Sequence, residues 1–365
     1  MFAYILIYLF SLIFAFCYSK SKDKFFSVLF ISLTFLVLFL PAAFRYNIGT
    51  DYENYTRIIE NNFLHHRYNE FEIGWIPVLW FIDYFDLSVH FFFVFTDFTI
   101  LLCLFYVLEK RSFWCCIPIY VCFAYIQSYS LVRQALAATI FLIAIKKWTQ
   151  KKYFSCILFS LLSFIFHKSV IILVLLLFLA NFKWSFFNRF NNFVIFVFVY
   201  VLIDRLQFAN ILMEKVVGNT FYAAYLTSDY AKVSESSSGL GLLLREFLLL
   251  IGIIASDKIV NKNVLQIADY HIRLYRLSVL LSFAGISFFI MSSQIHIFNR
   301  LPSLIVPFLV LMVQCMNNSK FKYRKIALII FEFGWFVSFI FYLRNSPSSA
   351  AGGLGLTPYQ SIFSR

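Results

Sequence analysis

The sequence predicts an all-α fold, a polytopic bundle of about 12 transmembrane helices in one integral membrane domain over residues 1–365. Hydrophobic residues make up 61% of the chain, charged residues only 13%, and the mean hydropathy is +0.80. This composition leaves too little polar surface for a soluble globule of 365 residues. The apolar runs are also unbroken, whereas the strands of a membrane barrel alternate with a period of two. A helical bundle in a lipid bilayer is therefore the predicted fold class.

Apolar runs of helical length follow one another along the chain, and each crossing of the hydrocarbon core needs about 20 such residues. The predicted spans lie near Phe2–Tyr18, Phe26–Ala43, Val89–Leu108, Phe113–Tyr129, Leu131–Trp148, Tyr153–Phe166, Ser169–Ala180, Phe193–Ile203, Leu240–Ala255, Leu274–Met291, Leu301–Met316 and Ile326–Leu343. The first lacks a cleavage site of small residues, so we expect a retained helix rather than a signal peptide. The sixth and seventh are short for a full crossing. They predict a helical hairpin with His167 and Lys168 at its turn.

Basic residues are concentrated in alternate connections, and this pattern predicts the orientation. The basic connections carry Lys20/Lys22/Lys24, Lys110/Arg111, Lys146/Lys147/Lys151/Lys152, Lys183/Arg189, Lys258/Lys262 and Lys320/Lys322/Arg324/Lys325. By the positive-inside rule they are cytoplasmic, which places both termini on the outer face. The two long hydrophilic segments, Phe44–Ser88 and Asp204–Gly239, then also lie outside. The first carries Trp75 and Trp80 among charged residues, as interfacial amphipathic helices do, and the second is expected to be a mobile loop.

Cysteine usage and net charge exclude several classes of function. The 7 cysteines all fall in apolar runs without a histidine at metal-ligand spacing, so no metal or redox site is expected. The net charge of +13 comes from short loops scattered along the chain and does not indicate nucleic acid binding. No phosphate-binding glycine loop, HExxH, GxSxG or dinucleotide fingerprint is present. We therefore predict no cofactor, and any energised substrate has to arrive already activated.

Four arginines lie at the outer ends of predicted spans, where a cation is costly and calls for a partner or a function. They are Arg45, Arg133, Arg245 and Arg300. A guanidinium binds phosphate oxygens in bidentate fashion, so several converging arginines would suit a diphosphate group. Each could instead reach lipid phosphates or pair with Asp51, Glu72 or Glu246.

Two titratable residues on the outer side are candidate proton acceptors. His167 lies between two apolar runs, where a histidine is either a hydrogen-bonded core residue or a group that accepts or orients a substrate proton. Asp51 follows Gly49 and Thr50, and its carboxylate could hold Arg45 or accept a proton. The choice between His167 and Asp51 stays open at this point.

Several short strings stand at the outer ends of the spans. They are RYNIGTDYENY (Arg45–Tyr55), FEIGW (Phe71–Trp75), LVRQALA (Leu131–Ala137), FHKSVII (Phe166–Ile172), FNRLPSLIVPF (Phe298–Phe308) and the pair Pro358-Tyr359. In this order they resemble the signature of the EpsG/Wzy-type family of bacterial polysaccharide polymerases, which has an arginine, a Gly-Thr-Asp block and a tyrosine after its second span. The resemblance covers nearly the whole chain, but the tail Ser346–Gly355 and the segment Asp204–Gly239 do not align.

The resemblance implies polymerisation of oligosaccharide repeat units, linked to undecaprenyl diphosphate, into O-antigen or a related surface polysaccharide at the periplasmic face of the bacterial inner membrane. The catalytic residues that it implies are His167, Asp51, Arg45, Arg133 and Arg300, the arginines holding the diphosphate and His167 or Asp51 activating the acceptor hydroxyl. The substrate-binding residues that we expect are Tyr52, Tyr55, Glu72, Lys168 and Arg245. The expected partners are the lipid-linked oligosaccharide, membrane lipids and a chain-length-determining co-polymerase.

Three rival interpretations remain at the level of sequence. A flippase for the same lipid-linked sugars would also gather arginines, but no inverted repeat with paired broken helices is visible. An O-antigen ligase would use the same donor, and only the string Arg45–Tyr55 favours a polymerase over it. A membrane scaffold would leave the outer arginines unexplained.

Overall fold

The computed structural model describes residues 1–65, 71–182, 240–257, 269–294, 300–318, 323–344 and 355–364, with isolated positions at 194, 195, 198, 202, 211 and 298. These residues form helices, and a single antiparallel bridge among them joins Arg45 to Ser361. The chain divides into two compact units. The first comprises residues 1–175 and 339–365, and the second comprises residues 176–338.

The helices follow the predicted order of the spans. They are α1 (Phe2–Lys20), α2 (Lys24–Ala43), α3 (Tyr52–His65), α4 (Ile76–Tyr84), α5 (His90–Val107), α6 (Phe113–Tyr120), α7 (Ile126–Ser128), α8 (Val132–Thr149), α9 (Tyr153–Phe166), α10 (Ile171–Leu179), α11 (Leu240–Asp257), α12 (Asp269–Gln294), α13 (Arg300–Ile305), α14 (Leu309–Asn318) and α15 (Arg324–Arg344). Shorter 3₁₀ turns occupy Ile73–Trp75, Lys110–Ser112, Lys168–Val170, Val306–Phe308 and Ile362–Ser364, and a π-helical segment, Val121–Tyr125, joins α6 to α7.

Six helical segments in the described part of the chain are long and apolar enough to cross a membrane. They are Phe2–Lys20, Lys24–Ala43, His90–Val107, Ile272–Ser292, Arg300–Asn318 and Arg324–Arg344. The prediction of an all-helical membrane protein is confirmed at this level. The predicted span Phe193–Ile203 lies largely outside the described residues, and the segment Asp204–Gly239 lies almost wholly outside them.

Helix α8 forms the centre of the first unit. It is buried along most of its length, from Val132 to Thr149, and packs against α5 on one side and α9 on another. Helix α1 packs against α2 and α6. Large apolar residues on α9, such as Phe154 and Leu161, have more than half of their surface exposed, as expected for a helix face in contact with lipid.

Basic side chains gather at one end of this unit. Lys110 donates a hydrogen bond from Nζ to the carbonyl of Ser21 at 2.9 Å, which ties the connection after α5 to the end of α1. Lys146 and Lys147 lie over the ring of Tyr106 at 4.4 and 5.1 Å. A helix of 20 residues is about 30 Å long, so the loop that follows α2 lies a membrane thickness away from this basic end.

The loop that follows α2 is held by the C-terminal segment Gly355–Ile362. Backbone hydrogen bonds run from Tyr46 N to the Gln360 carbonyl (3.0 Å), from Ile362 N to the Phe44 carbonyl (3.1 Å) and from Gly49 N to the Gly355 carbonyl (3.2 Å). Most of the tail Ser346–Gly355 precedes this segment and lies outside the described residues. The Pro-Tyr motif therefore belongs to a short strap across the loop, where the Tyr359 hydroxyl donates to the Pro41 carbonyl at 3.0 Å.

Gly49 allows this loop to approach the end of α7. Its φ is +100°, and a Cβ atom there would lie 2.2 Å from the backbone oxygen of Tyr129. Both the backbone angle and the lack of space require glycine. The next residue, Thr50, donates its N–H to the Ser130 hydroxyl at 3.1 Å.

The second unit packs through small residues. Gly252 on α11 lies against Met312 on α14, and Gly334 on α15 lies against Leu248 on α11. Such residues let helix axes approach closely in a membrane, where the hydrophobic effect does little to hold helices together.

Candidate active site

The carboxylate of Glu72 links two of the predicted site residues. Arg133 Nη1 donates to Glu72 Oε2 at 2.7 Å, and His167 Nδ1 lies 2.7 Å from Glu72 Oε1. The three side chains come from the loop before the 3₁₀ turn Ile73–Trp75, from the first turn of α8 and from the end of α9. They are partly open, because 28% of the Arg133 side chain, 14% of Glu72 and 23% of His167 is exposed.

The local sequence places these residues for identifiable reasons. Helix α9 ends at Phe166, and His167 follows in an extended conformation before the turn Lys168–Val170 begins. Gly74 brings the loop into backbone contact with this end of α9, since a Cβ atom there would lie 2.9 Å from the Ile165 oxygen. Trp75 is fully buried and donates its indole N–H to the Phe166 carbonyl at 3.1 Å.

Trp75 therefore has a different role from the one expected of an interfacial residue. It packs against Phe92 and Phe166 and fixes the position of the loop that carries Glu72. Trp80, one helix further on, is 52% exposed and stacks on Tyr84, as an interfacial side chain would.

Arg133 is held by aromatic rings as well as by Glu72. Its guanidinium carbon lies 5.1 Å from the ring centre of Phe71 and 5.6 Å from that of Tyr55, within the range of cation–π attraction. Its Nε also donates to the Tyr55 hydroxyl at 3.4 Å. Arg133, Glu72, His167 and Tyr55, four residues singled out in the sequence, thus form one cluster.

The electrostatics of the cluster keep Glu72 ionised. Burial alone would raise the pKa of the Glu72 carboxyl, but the hydrogen bond from His167 and the positive charge of Arg133 outweigh burial and hold the pKa below its ordinary value. An ionised carboxylate only accepts hydrogen bonds, so His167 donates through Nδ1. A neutral histidine in that tautomer carries its lone pair on Nε2, the arrangement of a general base.

Arg45 lies in a second, enclosed cluster. Its side chain is 0% exposed, forms an ion pair with Asp97 and donates to the Ala42 carbonyl. The ring centres of Tyr129 and Phe93 lie 4.6 and 4.9 Å from its guanidinium carbon. The carboxylate partner is therefore Asp97 rather than Asp51, and the guanidinium that the sequence predicts to hold a diphosphate is enclosed by protein side chains.

The contacts of Glu72 with Arg133 and His167 are called the Glu72 bridge below, and the remaining candidates of the first unit lie outside it. Asp51 directly precedes α3, and its backbone oxygen accepts from Tyr55 N at 2.9 Å. Tyr52 is buried and stacks on Phe93, with ring centres 4.6 Å apart. Lys168 follows His167 and is exposed.

Arg245 and Arg300 belong to the second unit. Arg245 Nε donates to the Ser338 hydroxyl at 3.0 Å, and its guanidinium lies 5.6 Å from the ring centre of Phe289. Arg300 is exposed at the start of α13, where its carbonyl accepts from the Ser303 hydroxyl at 2.6 Å. Their roles in binding or catalysis stay predictions.

Sequence reasoning missed Asp97. A lone carboxylate within the apolar span Val89–Leu108 was the available signal, because an ionisable residue inside a membrane helix is expected to have a partner. Across the described residues, no group of three or more His, Cys, Asp or Glu side chains could hold a metal ion.

Comparison with known protein families decides the wider class. The model of the EpsG family matches residues 28–361, which is most of the chain. The chain belongs to the EpsG family. This EpsG-family member is accordingly a membrane protein of the polysaccharide polymerase type, and its glycosyltransferase-like class agrees with the resemblance seen in the sequence. No curated protein matches the chain, and no solved structure matches it.

Proposed function

We propose that this protein joins oligosaccharide repeat units, carried on undecaprenyl diphosphate, into O-antigen or a related surface polysaccharide at the periplasmic face of the inner membrane. Membership of the EpsG family supports the class of reaction. The single structural observation that supports the site is the Glu72 bridge, which holds a histidine and an arginine on one carboxylate in a partly open place.

The proposed step assigns a role to each member of the bridge. A hydroxyl oxygen of the acceptor sugar forms a bond to the anomeric carbon of the donor chain, and the bond from that carbon to the diphosphate oxygen breaks. The electron pair leaves with undecaprenyl diphosphate, whose negative charge Arg133 offsets. The proton of the acceptor hydroxyl passes to Nε2 of His167, which Glu72 orients. We favour His167 over Asp51 as the base because a carboxylate holds its ring in one tautomer.

The proposed topology retains twelve spans with both termini in the periplasm. The basic end of the first unit supports this orientation, since Lys110, Lys146 and Lys147 lie about a helix length away from the loop that follows α2. The cluster around Glu72 would then face the periplasm, where a chain-length-determining co-polymerase could act with it.

Complementation of a polymerase-null strain tests the proposal. We expect wild type to restore a ladder of long chains on gels, whereas Arg133→Ala, His167→Ala and Glu72→Gln leave single repeat units at matched membrane abundance. Loss of a general base costs roughly 10²–10⁴-fold in rate, enough to remove the ladder. Arg111→Ala is the matched control, because it removes an exposed arginine beside the basic end.

Two outcomes would overturn the proposal. If repeat units fail to reach the periplasm without the protein, it acts as a flippase. If the three variants keep a normal ladder, the reaction does not use the Glu72 bridge.

A further inference from the structure

A polar pocket lies on the far side of α3 from the core of the first unit. Its volume is about 730 Å³, within the roughly 300–1,000 Å³ typical of ligand sites. Helix α3 supplies one wall with Glu53, Thr56, Arg57 and Glu60, residues spaced three or four apart and hence on one face. The opposite face of α3, with Tyr55 and the nearby Ile59, is buried.

The other walls come from three separate segments. The loop after α2 contributes Tyr46 and Asn47, the turn before α5 contributes residues 86–89 together with the first residue of α5, His90, and the C-terminal strap contributes Ile362. Segments far apart in sequence thus converge on the pocket, and the strap that holds the loop also closes its wall.

The charge of the pocket argues against an anionic occupant. Three carboxylates, Glu53, Glu60 and Asp86, line it, and Arg57 is the one guanidinium among its lining residues. An excess of negative charge disfavours a diphosphate. A metal ion is also disfavoured, because no metal-binding group of acidic, His or Cys side chains exists in the part of the chain that the structure describes.

The chemistry of the lining suits a ligand rich in hydroxyl groups. Carboxylates only accept hydrogen bonds, Arg57 only donates them, and the Asn47 amide does both. A hydroxyl both donates and accepts, so a neutral sugar can satisfy every one of these groups. The ring of Tyr46 and the apolar side chains of Leu87 and Ile362 provide surface for sugar carbons.

We propose that this pocket is the subsite that binds the uncharged saccharide of the acceptor repeat unit, away from any diphosphate. The inference rests on the proposed function. Tyr52 lines the pocket, while Tyr55, one turn further along α3, contacts Arg133. A sugar held in the pocket is thereby anchored on the helix that also reaches the Glu72 bridge.

Saccharide binding to the full chain in lipid nanodiscs tests this directly. The probe is the free repeat-unit oligosaccharide, released from its lipid carrier by mild acid hydrolysis and labelled at its reducing end, and its affinity is measured by equilibrium dialysis. We expect Glu53→Gln and Glu60→Gln each to weaken binding about tenfold, because each loses a charge-assisted hydrogen bond. Asn61→Ala is the control, since Asn61 is exposed on α3 but does not line the pocket.

Competition with inorganic pyrophosphate completes the test. We expect pyrophosphate to leave saccharide binding unchanged. Wild-type affinity in both glutamine variants, displacement of the saccharide by pyrophosphate, or no saccharide binding to wild type would each overturn the inference.

The complementation assay separates this inference from the proposed function. If wild type makes a ladder but the glutamine variants bind saccharide normally, the polymerase proposal stands and the pocket proposal is wrong. If saccharide binding depends on Glu53 and Glu60 but wild type makes no ladder, the pocket binds saccharide and the polymerase proposal is wrong.

Discussion

Glu72 holds two side chains that lie 61 and 95 residues away from it in sequence, Arg133 and His167. Each of these residues stood out in the sequence as a polar group at the end of an apolar run. Their shared partner could not be inferred, because a pairing over such distances depends on how α8, α9 and the loop before α4 pack. The pairing of Asp97 with Arg45 could not be inferred for the same reason, because the two residues lie 52 positions apart in sequence.

The ionisation of Glu72 predicts a dependence of stability on pH. Its folded-state pKa is lowered from 4.5, so the stabilisation by the ionised carboxylate is present above that value and is lost as pH falls through the folded pKa. We expect the difference in unfolding temperature between wild type and Glu72→Gln to be constant from pH 7 to about 5 and to shrink at lower pH. A difference that grows towards acidic pH would contradict this assignment.

The enclosed pair of Arg45 and Asp97 predicts a structural rather than a catalytic defect. Removing one partner leaves a buried charge and costs roughly 3–5 kcal/mol, whereas replacing both by apolar residues is far better tolerated. We expect Arg45→Ala and Asp97→Ala to lower membrane abundance and thermal stability, and Arg45→Met with Asp97→Leu to recover much of the loss. An Arg45→Ala protein of normal stability that makes no polymer would instead show that Arg45 acts on substrate.

At the scale of elements, the sequence predicted where helices begin and end more accurately than which of their side chains are buried. The predicted spans Phe26–Ala43 and Val89–Leu108 agree with α2 and α5 to within two residues at each end. The loop between them also contains helices, as its amphipathic pattern predicts, but Trp75 faces the core. Hydropathy indicates that a tryptophan is amphipathic, but it does not indicate which neighbouring side chains will bury it.

The contact of Gly74 with the end of α9 predicts an effect on activity that exceeds the effect on stability. A methyl group at Gly74 meets backbone at 2.9 Å, so the last turn of α9 has to move, and His167 follows that turn. A displacement of about 1 Å in a catalytic group can cost up to roughly 100-fold. We expect Gly74→Ala to reduce polymer tenfold or more with little loss of abundance.

Gly285→Ala is the control for this variant. Its Cβ atom would meet only side chains, the nearest at 3.3 Å, so the neighbours can adjust. Equal losses of polymer in the two variants would argue against a specific link from Gly74 to His167.

At the scale of the whole molecule, the contacts that join the two ends of the chain were beyond sequence reasoning. The Tyr4 hydroxyl donates to the Leu356 carbonyl at 2.8 Å, across 352 residues. The division into units 1–175 with 339–365 and 176–338 depends on such contacts. The Pro-Tyr motif was visible in the sequence, but its position across the loop after α2 was not.

Removal of the strap therefore has a predicted consequence for the loop. A chain that stops before Gly355 loses the three backbone hydrogen bonds to Phe44, Tyr46 and Gly49. We expect limited proteolysis to cleave this loop at least ten times faster than in wild type. Gln360→Ala is the control, because it keeps the backbone bonds, and equal cleavage of the truncated and full chains would show that the loop holds its shape alone.

The position of this strap also bears on the order of biosynthesis. Gly355–Ile362 is translated after helices α1 to α15, although it binds the loop after α2 and contributes Ile362 to the wall of the proposed saccharide pocket. If the pocket binds the acceptor sugar as we propose, a nascent chain stalled in the membrane before Gly355 lacks the Ile362 side of the pocket and would not hold that sugar.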